Sequence, residues 1–310
     1  MRVYVTGGGR GFVAGHVVRA LAEAGHDVGC DWADVRDPAA LARAVDGCDA
    51  VCHVAALYSF TRPAAELEAV NVTGTANVLA ACRSAGVTRI VHTSSCATCG
   101  PVAGRPATED DLPPAWELAV PYKRTKLAAE RLALTAGAVC VNPTTPVGEG
   151  DTAPTPTGAM VRGVASGRYR LALRSTGLNL VDVRDVARGH VLALERGRPG
   201  ERYLLGGVDL TLADTFAAIA RLAGRPTPLA SLPYAVARGL AVARLANAQE
   251  VALARLPAWF SSAKAERELG YVPGPVEPAL ARAVADALAQ DGAALSGRAC
   301  ARAAARRPSA

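Results

Sequence analysis

The sequence predicts an α/β fold: a doubly wound parallel sheet covered by helices on both faces, followed by a small C-terminal α/β lobe. Three observations predict it. Short β-branched runs alternate with alanine- and leucine-rich helical stretches up to about residue 145. A glycine-rich turn, Thr6 to Gly15, joins the first strand directly to the first helix. The rhythm then breaks at a proline-rich segment, residues 151–158. A chain of 310 residues, 50% hydrophobic and 20% charged, is long and apolar enough to bury such a core.

The first strand is expected over residues 2–6 and the first helix over 12–24. A glycine turn between them can hold the diphosphate of a dinucleotide, because its amides and the positive end of the helix converge on one point. Gly7 and Gly11 stand one residue further apart than a regular nucleotide fingerprint requires, and Ala14 occupies the place of its third glycine. The second strand is expected over 27–30. Asp31, about twenty residues past Gly11, is placed to accept bonds from a ribose diol and to repel a 2′-phosphate. Arg10 projects from the turn and could pair with such a phosphate instead. Either charge could also be merely exposed, and the balance leans toward NAD. Between the second strand and Asp34-Val35-Arg36-Asp37 there is no room for the helix and strand of a full doubly wound sheet, so the sheet is trimmed by one β-α unit. Helices follow over 38–45, 65–85 and 122–136, with strands over 50–54, 89–93 and 138–142. By the carboxyl-end rule, ligands sit where these strands stop.

The nucleotide domain is expected to span 1–145, and a substrate lobe interleaved with the sheet to span 146–290. The lobe carries helices over 212–223 and 233–256 and a short capped helix over 261–271 that ends at Gly270. Net charge is +6, but four arginines against Asp291 concentrate half of it in residues 291–310, which read as a disordered basic tail. The globular part is only mildly basic, which argues against nucleic-acid binding. No run reaches the roughly 18 apolar residues of a membrane span. The chain enters its first strand straight after Met1-Arg2 without an export signal, which implies a cytoplasmic protein. Eight scattered cysteines suit small buried hydrophobes, and Cys96-Ala97-Thr98-Cys99 lacks the partners that a metal site would need.

Two groups carry chemistry. Tyr122 and Lys126 lie four apart on one face of a helix. A phenol of ordinary pKa near 10 exchanges protons poorly at neutral pH, and an ammonium one turn away would lower that value. Ser94 and Ser95 end the strand 89–93, where a hydroxyl can bond a substrate carbonyl or alkoxide. Each also has a plainer reading, as a solvated helix start and as turn capping.

Taken together, the glycine turn, Val54-Ala55-Ala56, Asn71-Val-Thr-Gly-Thr75, Thr93-Ser94-Ser95, Tyr122 and Lys126 resemble, in order and spacing, the extended short-chain dehydrogenase/reductase family. The resemblance covers about residues 1–290. Within it the chain is most similar to the dihydroflavonol-reductase-like branch, through Asn142-Pro-Thr-Thr-Pro-Val-Gly148, Pro154-Thr-Pro-Thr-Gly158, Thr176-Gly-Leu-Asn-Leu180 and Phe260-Ser-Ser-Ala-Lys264. In that branch it looks closest to the hopanoid-associated sugar epimerase-like proteins.

The resemblance implies a Rossmann-type domain binding NAD or NADP. Tyr122 would be the acid/base. Lys126 would lower its pKa and hold the nicotinamide ribose, and Ser95 would bind the reacting oxygen. Gly7, Gly11, Phe12 and Val13 would line the diphosphate, Asp34 and Val35 the adenine, and Pro143 the nicotinamide. Ala55, Ala56 and Thr93 complete the cofactor set, and Cys96 and Asn142 join Ser95 as substrate contacts. Tyr58, just beyond Ala55-Ala56, could touch substrate or equally serve lobe packing. The extra loop residue would be absorbed by Gly8-Gly9, which are free to adopt positive φ. No metal is expected, and a homodimer is implied by analogy through helices 65–85 and 122–136.

Dehydratases of the family carry an acidic pair where this chain has Cys96 and Ala97, so dehydration is disfavoured. Nucleotide-sugar enzymes carry an arginine where Leu178 stands, although Arg174 is near. The leading expectation is hydride transfer between nicotinamide and a secondary alcohol or ketone of a small substrate. The alternatives are an NAD-dependent sugar epimerase and a non-catalytic NAD(P)-sensing protein.

Overall fold

The computed structural model describes residues 1–304, apart from 175, 228–229 and 244–246. Its strands are β1 (Arg2–Val5), β2 (Asp27–Gly29), β3 (Ala50–His53), β4 (Arg89–Thr93), β5 (Val139–Pro143), β6 (Thr145–Val147), β7 (Leu171–Leu173), β8 (Gly177–Asp182), β9 (Arg202–Leu205), β10 (Val208–Thr211) and β11 (Ala230–Leu232). The helices are α1 (Phe12–Glu23), α2 (Pro38–Val45), α3 (Ala64–Glu68), α4 (Gly74–Ser84), α5 (Ala115–Leu118), α6 (Pro121–Thr135), α7 (Pro156–Ala165), α8 (Val183–Arg196), α9 (Leu212–Leu222), α10 (Tyr234–Val242), α11 (Ala248–Leu253), α12 (Ala263–Leu269) and α13 (Glu277–Ala304).

The large sheet runs β2-β1-β3-β4-β5-β9, and every neighbouring pair is parallel. Period-two alternation divides its side chains between two cores. Val3 and Val5 face α1 and α8 together with Val17, Leu21, Val186 and Leu194. Tyr4 faces the opposite layer with Leu41, Val78, Cys82 and Ala133. The sheet is one β-α unit short, because residues 30–37 lead from β2 directly into α2, which Asp37 caps at the amides of Ala39 and Ala40. Strand order reverses between β1 and β3, the position where open α/β sheets form a ligand crevice.

A third core, built from Val147, Val161, Leu180, Phe216, Ile219 and Leu280, packs the sheet β10-β8-β6 against α7, α9 and α13. β9 returns to the large sheet, and α8 packs on α1.

Three expected elements differ. The helix over 65–85 is interrupted by one wide π turn, Ala69–Thr73, between α3 and α4. Asn71 in that turn is drawn inward by tertiary bonds described below, which no local propensity encodes. The helix over 233–256 divides into α10 and α11, with Asn247 capping the second through the amides of Gln249 and Glu250. The tail expected to be disordered from 291 is helical as far as Ala304, a continuation that its alanine content favours. Positions 305–310 lie outside the described residues. No described helix is long and apolar enough to cross a membrane.

Candidate active site

The glycine turn opens the site. Gly7, Gly8 and Gly9 all adopt positive φ (91°, 61° and 62°), so the extra residue is accommodated by backbone that only glycine takes without strain. The chain then enters α1 at Gly11, which offers no side-chain cap and leaves the first-turn amides to an outside acceptor. A Cβ on Gly15 would stand 3.0 Å from the Gly9 carbonyl oxygen, so the turn folds closely onto its helix. These features fit a diphosphate cradle.

Thr6 ties this turn to the next strand. Its hydroxyl oxygen accepts from the amides of Val54 and Ala55, both at 3.0 Å, and lies 2.9 Å from His53 Nδ1. Ala55 Cβ is therefore 3.6 Å from where a Gly7 Cβ would be. Phe12 is half-buried, edge-on to His16 at 6.0 Å, and Val13 packs on the core. Arg10 and Asp31 are exposed, and the Asp31 carbonyl accepts from Tyr4 Oη at 2.9 Å. Asp34 pairs with Arg36 at 2.6 Å, which holds its carboxyl below the usual range. The Val35 side chain is buried, nested where a Gly74 Cβ would come within 2.5 Å of it, so it packs core beneath the groove.

At the other end, Tyr122 and Lys126 stand on the buried face of α6. The Tyr122 ring lies 4.6 Å from Tyr58 and 6.1 Å from Phe60, centroid to centroid, and Val120 and Leu253 complete this apolar wall. Burial raises the Tyr122 pKa, while the Ser95 hydroxyl acts in the opposite direction. Lys126 is 2% exposed and donates to the Thr93 carbonyl at 2.8 Å. Burial lowers its pKa to about 8, against the pull of Glu130. Burial thus raises the phenol where a lowering by Lys126 was expected, and the ammonium is engaged by a backbone carbonyl instead.

Ser95 is half-buried and accepts from the Ala97 amide at 3.1 Å, whereas Ser94 is buried, with its hydroxyl unpartnered among the described residues. Cys96, beside Ser95, donates to the Thr144 carbonyl at 3.6 Å. Cys52, Cys82, Cys99 and Cys140 are buried thiols, and the Cys300 side chain lies outside the described residues. Pro143 ends β5, paired with Leu205.

Two side chains do not reach the groove. Asn142 is fully buried and donates to Thr98 Oγ1, to the Ser95 carbonyl and to Glu130, so it braces the serine turn from behind. The Thr93 hydroxyl is turned to His190 Nε2 at 2.8 Å, leaving only its carbonyl on the Lys126 side.

Several contacts escaped sequence reasoning, which gave Asn71 only as part of a motif. Asn71 exchanges bonds with the Leu57 backbone and donates to Thr125 Oγ1, so the π turn fastens the Tyr58 loop to the helix of Tyr122. Glu130, one turn beyond Lys126, accepts from Thr98 at 2.9 Å and Arg202 at 2.7 Å, and Arg202 also donates to the Glu109 carbonyl. Its spacing from Lys126 was the only available signal. Phe60 and Leu253 had none, since a loop and a short helix meet there only in three dimensions. On β8, Leu178 packs against the small-lobe core, and Arg174 Nε is held by Ser231 at 3.2 Å.

Residues 3–206 match the model of the NAD dependent epimerase/dehydratase family. The chain belongs to that family. Within it, the chain falls in the extended short-chain dehydrogenase/reductases, on the dihydroflavonol-reductase-like side. It is 36% identical to a Synechocystis protein provisionally named dihydroflavonol 4-reductase, over 91% of this chain and 93% of that one. It is 30% identical to the 2-alkyl-3-oxoalkanoate reductase of Stenotrophomonas maltophilia, over 88% and 95%. Among solved structures it is similar to a nucleoside-diphosphate-sugar epimerase from Pseudomonas aeruginosa, with 29% identity, a TM-score of 0.79, and coverage of 92% of this chain and 97% of that one.

Proposed function

We propose that this protein is an oxidoreductase that moves hydride between a nicotinamide dinucleotide and the secondary alcohol or ketone carbon of a small, largely apolar substrate. The observation that carries this reading is the Tyr122 phenol set in a wall of Tyr58, Phe60, Val120 and Leu253 with Ser95 beside it. The name of the Stenotrophomonas reductase supports a ketone attached to hydrocarbon. Gly7 to Gly9 and the start of α1 would hold the diphosphate, and Lys126 the nicotinamide ribose. When bound, the nicotinamide supplies or accepts the hydride.

In the reductive direction, Ser95 donates a hydrogen bond to the substrate carbonyl and fixes it beside Tyr122 Oη. Tyr122 then gives its proton to the developing alkoxide. Burial keeps the phenol protonated at neutral pH, so the proton is in place to be given, and the apolar wall excludes competing water. Asp31 favours NAD(H) over NADP(H), since a carboxylate repels a 2′-phosphate.

An epimerase is the second reading, favoured by the similarity to the Pseudomonas protein. Leu178 weighs against it, because a leucine cannot grip a substrate diphosphate. Incubation with NADH and a panel of 2-alkyl-3-oxo acids and cyclic ketones distinguishes the two. A reductase oxidises NADH in step with alcohol formed, whereas an epimerase inverts a stereocentre with no net change in cofactor. A homodimer through α4 and α6 is part of the proposal, and sedimentation velocity tests it.

A further inference from the structure

The short connection that replaces a β-α unit leaves β2 at the edge of the large sheet, so the crevice beside the glycine turn has no further strand to wall it. What stands there is Trp32. It is the most exposed aromatic residue among those described, at 61%. A Cβ placed on Gly8 would lie 3.4 Å from both the Trp32 Cα and its ring atom Cε3, so the indole rests directly on the glycine turn. The Tyr4 hydroxyl, donating to the neighbouring Asp31 carbonyl, anchors the backbone beside it. A large flat ring held in water at the rim of a diphosphate cradle exposes apolar area that a planar partner would cover. The cation nearest in sequence, Arg36, is paired with Asp34, so the indole presents its π face beside an occupied ion pair, with Arg10 of the turn the exposed cation on this rim.

We infer that Trp32 is the stacking wall for the adenine ring of the dinucleotide, taking over on one side chain the role of the missing unit's surface. The inference rests on the glycine turn holding a nicotinamide dinucleotide, and it adds a consequence that the turn alone does not have: affinity divides between a backbone cradle and one aromatic face. Base-on-aromatic stacking is worth a fold-change of about ten in affinity.

The test titrates wild type and the Trp32→Phe, Trp32→Leu and Trp32→Ala variants with NADH and with reduced nicotinamide mononucleotide, which lacks adenine. Calorimetry and cofactor fluorescence report binding without any turnover. Leu and Ala should weaken NADH about tenfold and Phe less than about threefold, with the mononucleotide unaffected throughout. Leu keeps the bulk over Gly8 without the π face, so it separates stacking from support of the turn. The inference is overturned if Trp32→Ala binds NADH as wild type does, or if both nucleotides weaken together. Wild type binding neither NADH nor NADPH would instead overturn the cofactor reading beneath it.

Discussion

At the glycine-turn end of the crevice, what meets a ligand is backbone: three glycines at positive φ and an uncapped helix start, open to solvent. At the tyrosine end it is side chain: Tyr122, Lys126 and Ser95 in a wall of aromatic and aliphatic groups, their proton affinities set by burial. The contrast separates holding from reacting. Amides bind an anion whatever their side chains, so that end tolerates an inserted residue and an alanine for a glycine. A desolvated phenol depends on one oxygen atom, and nothing nearby substitutes for it.

The largest effect follows at that atom. Tyr122→Phe should lower kcat by about 10³-fold while NADH affinity stays unchanged, measured by steady-state NADH oxidation beside calorimetry. A parallel loss of affinity would break the division between the two ends. Gly7→Ala should do the reverse. Its Cβ has ordinary space but its φ of 91° does not suit an L side chain, so the turn should shift. NADH should bind about tenfold more weakly at a strain of about 1–2 kcal/mol, with kcat at saturating cofactor preserved.

The smallest effect concerns the layer beneath. His53, His92 and His190 lie buried behind the tyrosine end, and burial depresses all three, to about 3 in His53 and about 4 in His190. Lys126 pushes His53 and His92 in the same direction. Unfolded imidazoles take up protons as pH falls through 6.5, and the folded ones do not. Their contribution is therefore complete above about pH 6.5 and is lost progressively below it, down to about 4 for His190 and about 3 for His53. Melting curves should give a steady Tm above about pH 7 and a fall below about 6. A Tm that rises on acidification across that window would show that other groups outweigh these three.

The large sheet was legible because hydrophobic period and turn chemistry are local. Val3-Tyr4-Val5 divides between two cores by simple alternation, Asp37 caps α2 from the next position, and Gly270 ends α12 at φ 75°. Even the missing unit could be read, since eight residues cannot hold a helix and a strand. The site was legible in part. Spacing put Tyr122 and Lys126 on one helix face, where the structure has them, and it was the family resemblance that singled out Ser95 at the end of β4.

What the sequence determined by itself, then, was the order of elements and the candidates for the reactive groups, because both are written within a few residues of one another. Only the tertiary structure decided which way those groups face and how strongly they hold their protons. Asn142 looked like a substrate contact and is a buried brace; Asn71 looked like a motif and is a fastening between a loop and a helix. Lys126 was expected to acidify the phenol, and burial reversed the outcome. Desolvation depends on every atom packed around a group, and those atoms come from elements far apart along the chain.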